Sequence, residues 1–177
     1  GVDIKEYGEI ANALKKLDES INVYFDPNKI SRWLYGCMPR INKKITGKDI
    51  VMLLKAIKNE VEIENLRNCH IKDCVAMVKF LHWLDKAIHE EEITEISASD
   101  KLKGFRSQQE GFIGTSFDTI AGYKDHAAMM HYRATEAIQY TLKAEGMLLV
   151  DSGGQYFDGT TDITRTIVLG QITEEER

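Results

Sequence analysis

No apolar stretch in this 177-residue chain approaches the length of a membrane span, and its start, "GVDIKEYGE", has neither a basic region nor an apolar signal core. A membrane partner is therefore not expected, and the expected compartment is the cytoplasm. Cysteine is scarce. Cys37, Cys69 and Cys74 form an odd set without paired CxxC spacing, which argues against both a disulfide framework and a cysteine zinc site. They read as small apolar residues, buried or half-buried. A strong charge of one sign is also missing: the net charge is -5 and the basic residues are spread along the chain, so nucleic acid is not an expected partner. Internal repeats and low-complexity tracts are absent. The first residue is Gly rather than Met, and "QITEEER" at the other end is the kind of charged run that opens a helix. The chain is expected to be a piece of a larger protein.

What is present is ordinary for a globular protein, with 43% apolar and 29% charged residues. The spacing of Ile10, Ala13, Leu14 and Leu17 predicts a helix, and "INVYFD" alternates as a strand closed by Asp26-Pro27. A second helix over "NKISRWLYG" would be capped by Asn28 or Asp26, face Ile30, Trp33 and Leu34 inward, and end at Gly36. An extended piece around "KKITG" and then "DIVMLLKAIK" complete an α/β alternation that ends between Lys55 and Asn59. From Asn59 a long helix is expected, with Val61, Leu66, Ile71, Val75, Val78, Leu81 and Leu84 as its apolar stripe and Asp73 off it. His70 and His82 lie twelve apart on it, not at the i, i+4 spacing of a helical metal pair. Thr94 caps a further helix with Ile96, Leu102 and Phe105 on one face. Beyond Gly111 the pattern turns to β: "GFIGTSFDTIAG" and "AAMMHY" as short strands, a loop-like "RATEAIQYTLKAEG", then "MLLVDSGGQY" and "DITRTIVLG" joined through "FDGT".

The chemistry concentrates in "DSGGQYFDGTTDITRT", residues 151–166. Along one straight strand the odd offset between Asp151 and Asp162 would send their carboxylates to opposite faces. With the Asp158-Gly159 turn between them, strands Met147–Tyr156 and Asp162–Leu169 form a hairpin in which the two acids face each other. Converging carboxylates repel unless something cationic sits between them, and hard oxygens suit Mg²⁺, Mn²⁺ or Zn²⁺, with Ser152, Thr160, Thr161 and Thr164 available to orient them by hydrogen bonds. An Asp-Gly-Thr-Thr-Asp turn that satisfies its own amides fits the same spacing. A single Ca²⁺ loop fits less well, since the D-x-D-x-D ligands and distal Glu are lacking. Spacing alone leaves metal chemistry open.

The same stretch resembles the metal-binding signature of the pita-bread metallopeptidases, in particular the long Xaa-Pro aminopeptidases (aminopeptidase P), with their DSG-QY-DGTTD-TRT pattern. "LLKAIKNEVEIENLRNCHIKD" with "FLHWLD" resembles that family's first catalytic-domain helix, and "SFDTIAG" followed by "MMHY" resembles its "SF-TI" and "I-HY" segment. Three motifs in order cover about two thirds of the chain. The resemblance implies an α/β (α+β) chain: residues 1–56 the C-terminal part of a creatinase-like N-terminal domain, and 57–177 the N-terminal half of the pita-bread catalytic domain. It implies that Asp151 and Asp162 are the first two of five ligands to two divalent ions, typically Mn²⁺, with Zn²⁺ or Co²⁺ as substitutes. Asp151 would chelate one ion and Asp162 bridge both. His131 would contact the substrate and the tetrahedral intermediate as a catalytic residue. Without that context a histidine in an apolar strand reads as a satisfied core residue.

The implied function is removal of an N-terminal residue from peptides with proline in the second position, by a full-length homodimer; a prolidase or a non-catalytic pita-bread binding module is the alternative. The family's remaining ligands, one histidine and two glutamates, lie beyond Asp162 and are not in this chain, so the piece alone is expected to be inactive. Where members often carry "GPNGA", this sequence has "YKDHAA", which puts Lys124 and His126 in a loop near the expected site.

Overall fold

The computed structural model describes residues 3–177, which divide into two compact units, one ending at Lys58 and the other running Asn59–Arg177. In the first, a 3₁₀ turn at Tyr7–Glu9 leads into α1 (Ile10–Lys15), followed by β1 (Val23–Phe25), α2 (Arg32–Cys37), β2 (Lys44–Thr46) and α3 (Ile50–Ala56). Strands β1 and β2 pair in parallel, Val23 with Lys44 through Phe25 with Thr46, and α2 provides the crossover that parallel strands need. The cap of α2 is Ser31, whose hydroxyl accepts from the Leu34 N–H, rather than Asn28 or Asp26. Asp26 is spent elsewhere, accepting from the N–H of Asn28 in its own turn and from the N–H of the distant Asp49. The helix continues through Gly36, and Trp33 is 61% exposed rather than inward, while Cys37 and Met38 are buried.

The second unit opens with α4 (Glu60–Ala87) and α5 (Glu95–Ser107). Both begin with reciprocal caps. Asn59 Oδ1 accepts from the Glu62 N–H and Glu62 accepts from the Asn59 N–H, both at 2.9 Å; Thr94 and Ser97 exchange the equivalent pair. The face that α4 buries differs from the expected stripe. It consists of Cys69, Asp73, Ala76, Met77, Phe80, Leu84 and Ala87, whereas Val61, Ile71, Val75 and Val78 are exposed. Positions 61, 66 and 71 advance by five, which drifts around a helix; 69, 73, 76, 80, 84 and 87 advance by three and four and stay on one side. Cys74 falls on the outer side and is exposed, unlike Cys37 and Cys69.

Asp73 belongs to the interior because it has a partner there. Arg106 of α5, itself fully buried, donates from Nε at 2.6 Å and Nη2 at 3.0 Å to the two Asp73 oxygens, and the Tyr156 hydroxyl donates to Oδ1 at 2.8 Å. Burial, and then this bond to Asp73, lifts the Tyr156 hydroxyl above its ordinary range.

Two three-stranded antiparallel sheets complete the unit. One has the order β4 (Ile120–Tyr123), β5 (Met147–Ser152), β8 (Ile163–Val168); the other β3 (Phe112–Thr115), β6 (Gly154–Tyr156), β7 (Gly159–Thr160). The first packs Ala121, Tyr123, Leu148, Val150 and Ile163 against Met77, Phe80 and Leu84 of α4 and Ala98 and Leu102 of α5. "AAMMHY" is not a strand. Lys124 turns the chain out of β4 with φ 54°, a 3₁₀ turn covers Lys124–Ala128, and successive turns follow, Met129 N–H to His126 carbonyl and Tyr132 N–H to Met129 carbonyl. Among the described residues, no helix is long and apolar enough to cross a membrane.

The expected single hairpin is two. Its base, β5 with β8, stays in the first sheet, while its tip, β6 with β7 around the turn Phe157–Asp158, pairs with β3 in the second. Gly153 is the crossing point: a Cβ there would stand 2.0 Å from the Thr161 carbonyl oxygen and 2.2 Å from Ser116 Oγ. Ser116 holds the crossing from outside, its N–H donating to Gly153 O and its hydroxyl to Thr161 O.

Candidate metal centre

Alternation along β5 sends Leu148, Val150 and Ser152 to the core and Met147, Leu149 and Asp151 to the opposite face. The β5–β8 register pairs Asp151 with Thr164 and Ser152 with Ile163. Asp162, directly before β8, is two residues from Thr164 and so lies on the face of Asp151, displaced diagonally rather than directly opposite it. The detour of the tip into the second sheet sets this offset. Thr164 takes the facing position, and its hydroxyl donates to Asp151 Oδ1 at 2.7 Å. The other hydroxyls expected to orient the acids do not reach them: Thr160 bonds Gln155, Thr161 bonds Gly154, and Ser152 Oγ is buried without a partner.

Asp151 is half-buried and Asp162 exposed, and among the described residues neither forms an ion pair. Two carboxylates on one sheet face, with most of their lone pairs unused and no side-chain cation between them, are a hard-oxygen donor set that fits a divalent ion. They make only part of a cage. Among the described residues no three His, Cys, Asp or Glu side chains are grouped to hold a metal.

His131 is exposed, at φ 56° in the left-handed region, in the turn that ends at the buried Tyr132. The segment leading to it folds back over β4 at Gly122, where a Cβ would meet the Ala127 backbone at 2.9 Å. Gly122 pairs with Leu149, so the segment lies on the sheet face that carries Asp151. The other two singled-out side chains of this loop are engaged elsewhere. Lys124 pairs with Glu145, and this bond raises the lysine pKa and lowers that of the carboxylate. His126 is buried, its Nδ1 2.9 Å from Glu95, its ring stacked on Tyr140 with centroids 3.7 Å apart.

Sequence reasoning did not find Glu95, Tyr132 and Tyr140 around His126, nor Arg106 and Tyr156 around Asp73. The available signals were an acid directly after the Thr94 cap, and an acid spaced four residues from both Cys69 and Met77.

The sequence model described as "Metallopeptidase family M24" matches residues 64–177, and that described as "Creatinase/Prolidase N-terminal domain" matches 1–62. Xaa-Pro aminopeptidase 1 of Dictyostelium discoideum is 40% identical over 99% of this chain and 28% of its own length. A probable Xaa-Pro aminopeptidase P of Paracoccidioides brasiliensis is 37% identical over 99% of this chain and 31% of its own. The chain thus spans about three tenths of these relatives. The crystal structure of X-prolyl aminopeptidase from Caenorhabditis elegans, described as a cytosolic enzyme with a di-nuclear active site, aligns with a TM-score of 0.85 at 34% identity, over 96% of this chain and 29% of that one. The Xaa-Pro dipeptidase of Bacillus anthracis shares the fold, with a TM-score of 0.76 at 23% identity over 94% of this chain and 45% of its own. The fold is accordingly the N-terminal part of the pita-bread architecture. With that model accounting for the long helices, both sheets and both aspartates, the chain belongs to metallopeptidase family M24.

Proposed function

We propose that the whole protein hydrolyses the peptide bond between an N-terminal residue and a following proline, with Asp151 and Asp162 as two ligands of a dinuclear metal centre and His131 as the catalytic residue that meets the substrate. The observation that carries this is the pair of carboxylates on one sheet face, short of hydrogen-bond donors and of cations, in a chain whose relatives are named Xaa-Pro aminopeptidases. Two divalent ions, with Mn²⁺ the proposed identity, would supply polarisation of the scissile carbonyl and a water acidic enough to attack at neutral pH. The di-nuclear site named for the C. elegans enzyme supports the count of two.

The chain's own groups have separable tasks. The Thr164 hydroxyl occupies one lone pair of Asp151 and fixes the rotation of that carboxylate, leaving the second oxygen free for a ligand. Asp162, beside it on the same face, presents both oxygens. The imidazole of His131 hydrogen-bonds the developing oxyanion or the prolyl side of the substrate. Because the prolyl nitrogen has no N–H, selection of this bond rests on the shape of the ring rather than on a hydrogen bond from that nitrogen. A cytoplasmic location fits the description of the C. elegans relative. The homodimer of the full-length protein rests on the family resemblance alone, and sedimentation tests it.

In the full-length protein, His131→Ala is expected to lower kcat on a Gly-Pro-containing tripeptide by on the order of 10²-fold with metal content unchanged. Loss of metal in that variant would make His131 a ligand and overturn its role. Turnover of Xaa-Pro dipeptides alone would make the protein a prolidase instead.

A further inference from the structure

Glu95 is the first residue of α5 and is fully buried, yet its carboxylate is turned away from the helix toward the loop that carries His131. Oε1 accepts from the Tyr123 N–H at 2.8 Å and lies 2.9 Å from His126 Nδ1. Oε2 accepts from the Tyr132 hydroxyl at 2.7 Å and the Tyr140 N–H at 2.9 Å, with His126 Nδ1 also 3.1 Å away. A single side chain thereby ties together the end of β4, the middle of the 3₁₀ turn, the residue following His131 and the far limb of the loop. The backbone adds a second row: Glu95 N–H to Tyr140 O, and Leu142 N–H to Ile93 O. The ring of His126 is held between Tyr132 and Tyr140, at 4.4 and 3.7 Å between centroids.

His131 itself is exposed, but its left-handed backbone lies inside the Met129–Tyr132 turn, directly before the anchored Tyr132 side chain. A residue in that region persists when its surroundings over-determine it. We propose that Glu95 is the positioning residue for His131, acting through the Tyr132 hydroxyl and through His126, so that the imidazole is presented to the substrate from a preset backbone. This deepens the reading of His131 as the substrate-contacting group and rests on it.

The test uses the full-length protein. Tyr132→Phe removes only the hydroxyl that meets Glu95 and keeps the buried ring; Glu95→Gln alters all the bonds to the carboxylate and is the less conservative of the two. Each is expected to lower kcat about ten- to a hundredfold, with KM and metal content little changed. In a His131→Ala background the same changes should cost less than about twofold, because the group they position is gone. Wild-type kcat in both variants would overturn the proposal, as would an equal penalty with and without His131, which would make Glu95 a general structural residue. If Glu95→Gln does not fold, Tyr132→Phe decides alone. Hydrogen exchange gives an answer without turnover: faster exchange confined to residues 126–132 is expected, and unchanged exchange overturns the proposal. A wild-type protein with no Xaa-Pro peptidase activity would instead refute the functional reading.

Discussion

The four acids that matter in the second unit fall into two kinds. Asp73 and Glu95 are fully buried and saturated: Asp73 takes two bonds from Arg106 and one from Tyr156, and Glu95 is surrounded by Tyr123, His126, Tyr132 and Tyr140. Asp151 and Asp162 stand on the sheet face away from the helices; one accepts a single hydroxyl, and among the described residues the other has no partner. A buried carboxylate survives only if its surroundings replace the water it has lost. An acid on an open face without donors contributes little to folding and keeps its lone pairs for something else. In this chain, therefore, donor count and burial divide the acids in the same way: Asp73 and Glu95 are buried and bonded, Asp151 and Asp162 open and short of donors.

The comparison breaks most visibly on the saturated side. Arg106→Met leaves Asp73 buried with only the Tyr156 hydroxyl, and a loss of about 3–5 kcal/mol in denaturant unfolding is expected; a loss below 1 kcal/mol would show that Asp73 does not depend on its partner. Cys69 probes the same neighbourhood. Burial, then the nearby charge of Asp158, pushes its thiol up to about 11 from 9.0. Alkylation of Cys69 at pH 8 should be about a hundredfold slower than for an ordinary thiol. Because the folded pKa is the raised one, the stability this thiol contributes is whole below pH 9 and is lost as pH climbs toward 11.

On the open side the expected effects are smaller for folding and larger for ligand. Thr164→Val removes the one bond to Asp151, which should cost about 1 kcal/mol of stability and roughly tenfold in metal affinity of the full-length protein. Asp162→Asn in metal-free protein should change stability by less than about 0.5 kcal/mol while abolishing normal metal loading. A large destabilisation there would place Asp162 with Asp73 and Glu95 and dissolve the distinction.

Much of this organisation is legible in the sequence where the cause is local. The starts of α4 and α5 follow from Asn59 and Thr94, whose caps involve residues three positions on. The metal-ligand candidates follow from one continuous motif. The helix face is not legible in the same way: Ile71, Val75 and Val78 also repeat at helical spacing, and the side that is buried includes an acid whose partner lies 33 residues away. The broken hairpin depends likewise on Ser116, 45 residues before Thr161, entering beside Gly153. Apart from its place directly after the Thr94 cap, nothing in the sequence marks Glu95, because every group around its carboxylate lies 28 to 45 residues downstream.

That separation also has a kinetic side. Helix caps close over three residues, whereas the contacts of Glu95 require a long stretch of chain to be brought round first, at a loop-closure cost that contacts within the helices do not carry. The Tyr123–Tyr140 loop is thus expected to order after α4 and α5 and to open before them. A protease added sparingly to the native protein should accordingly cut first beside Met130, which is 91% exposed on that loop, while α4 and α5 remain intact.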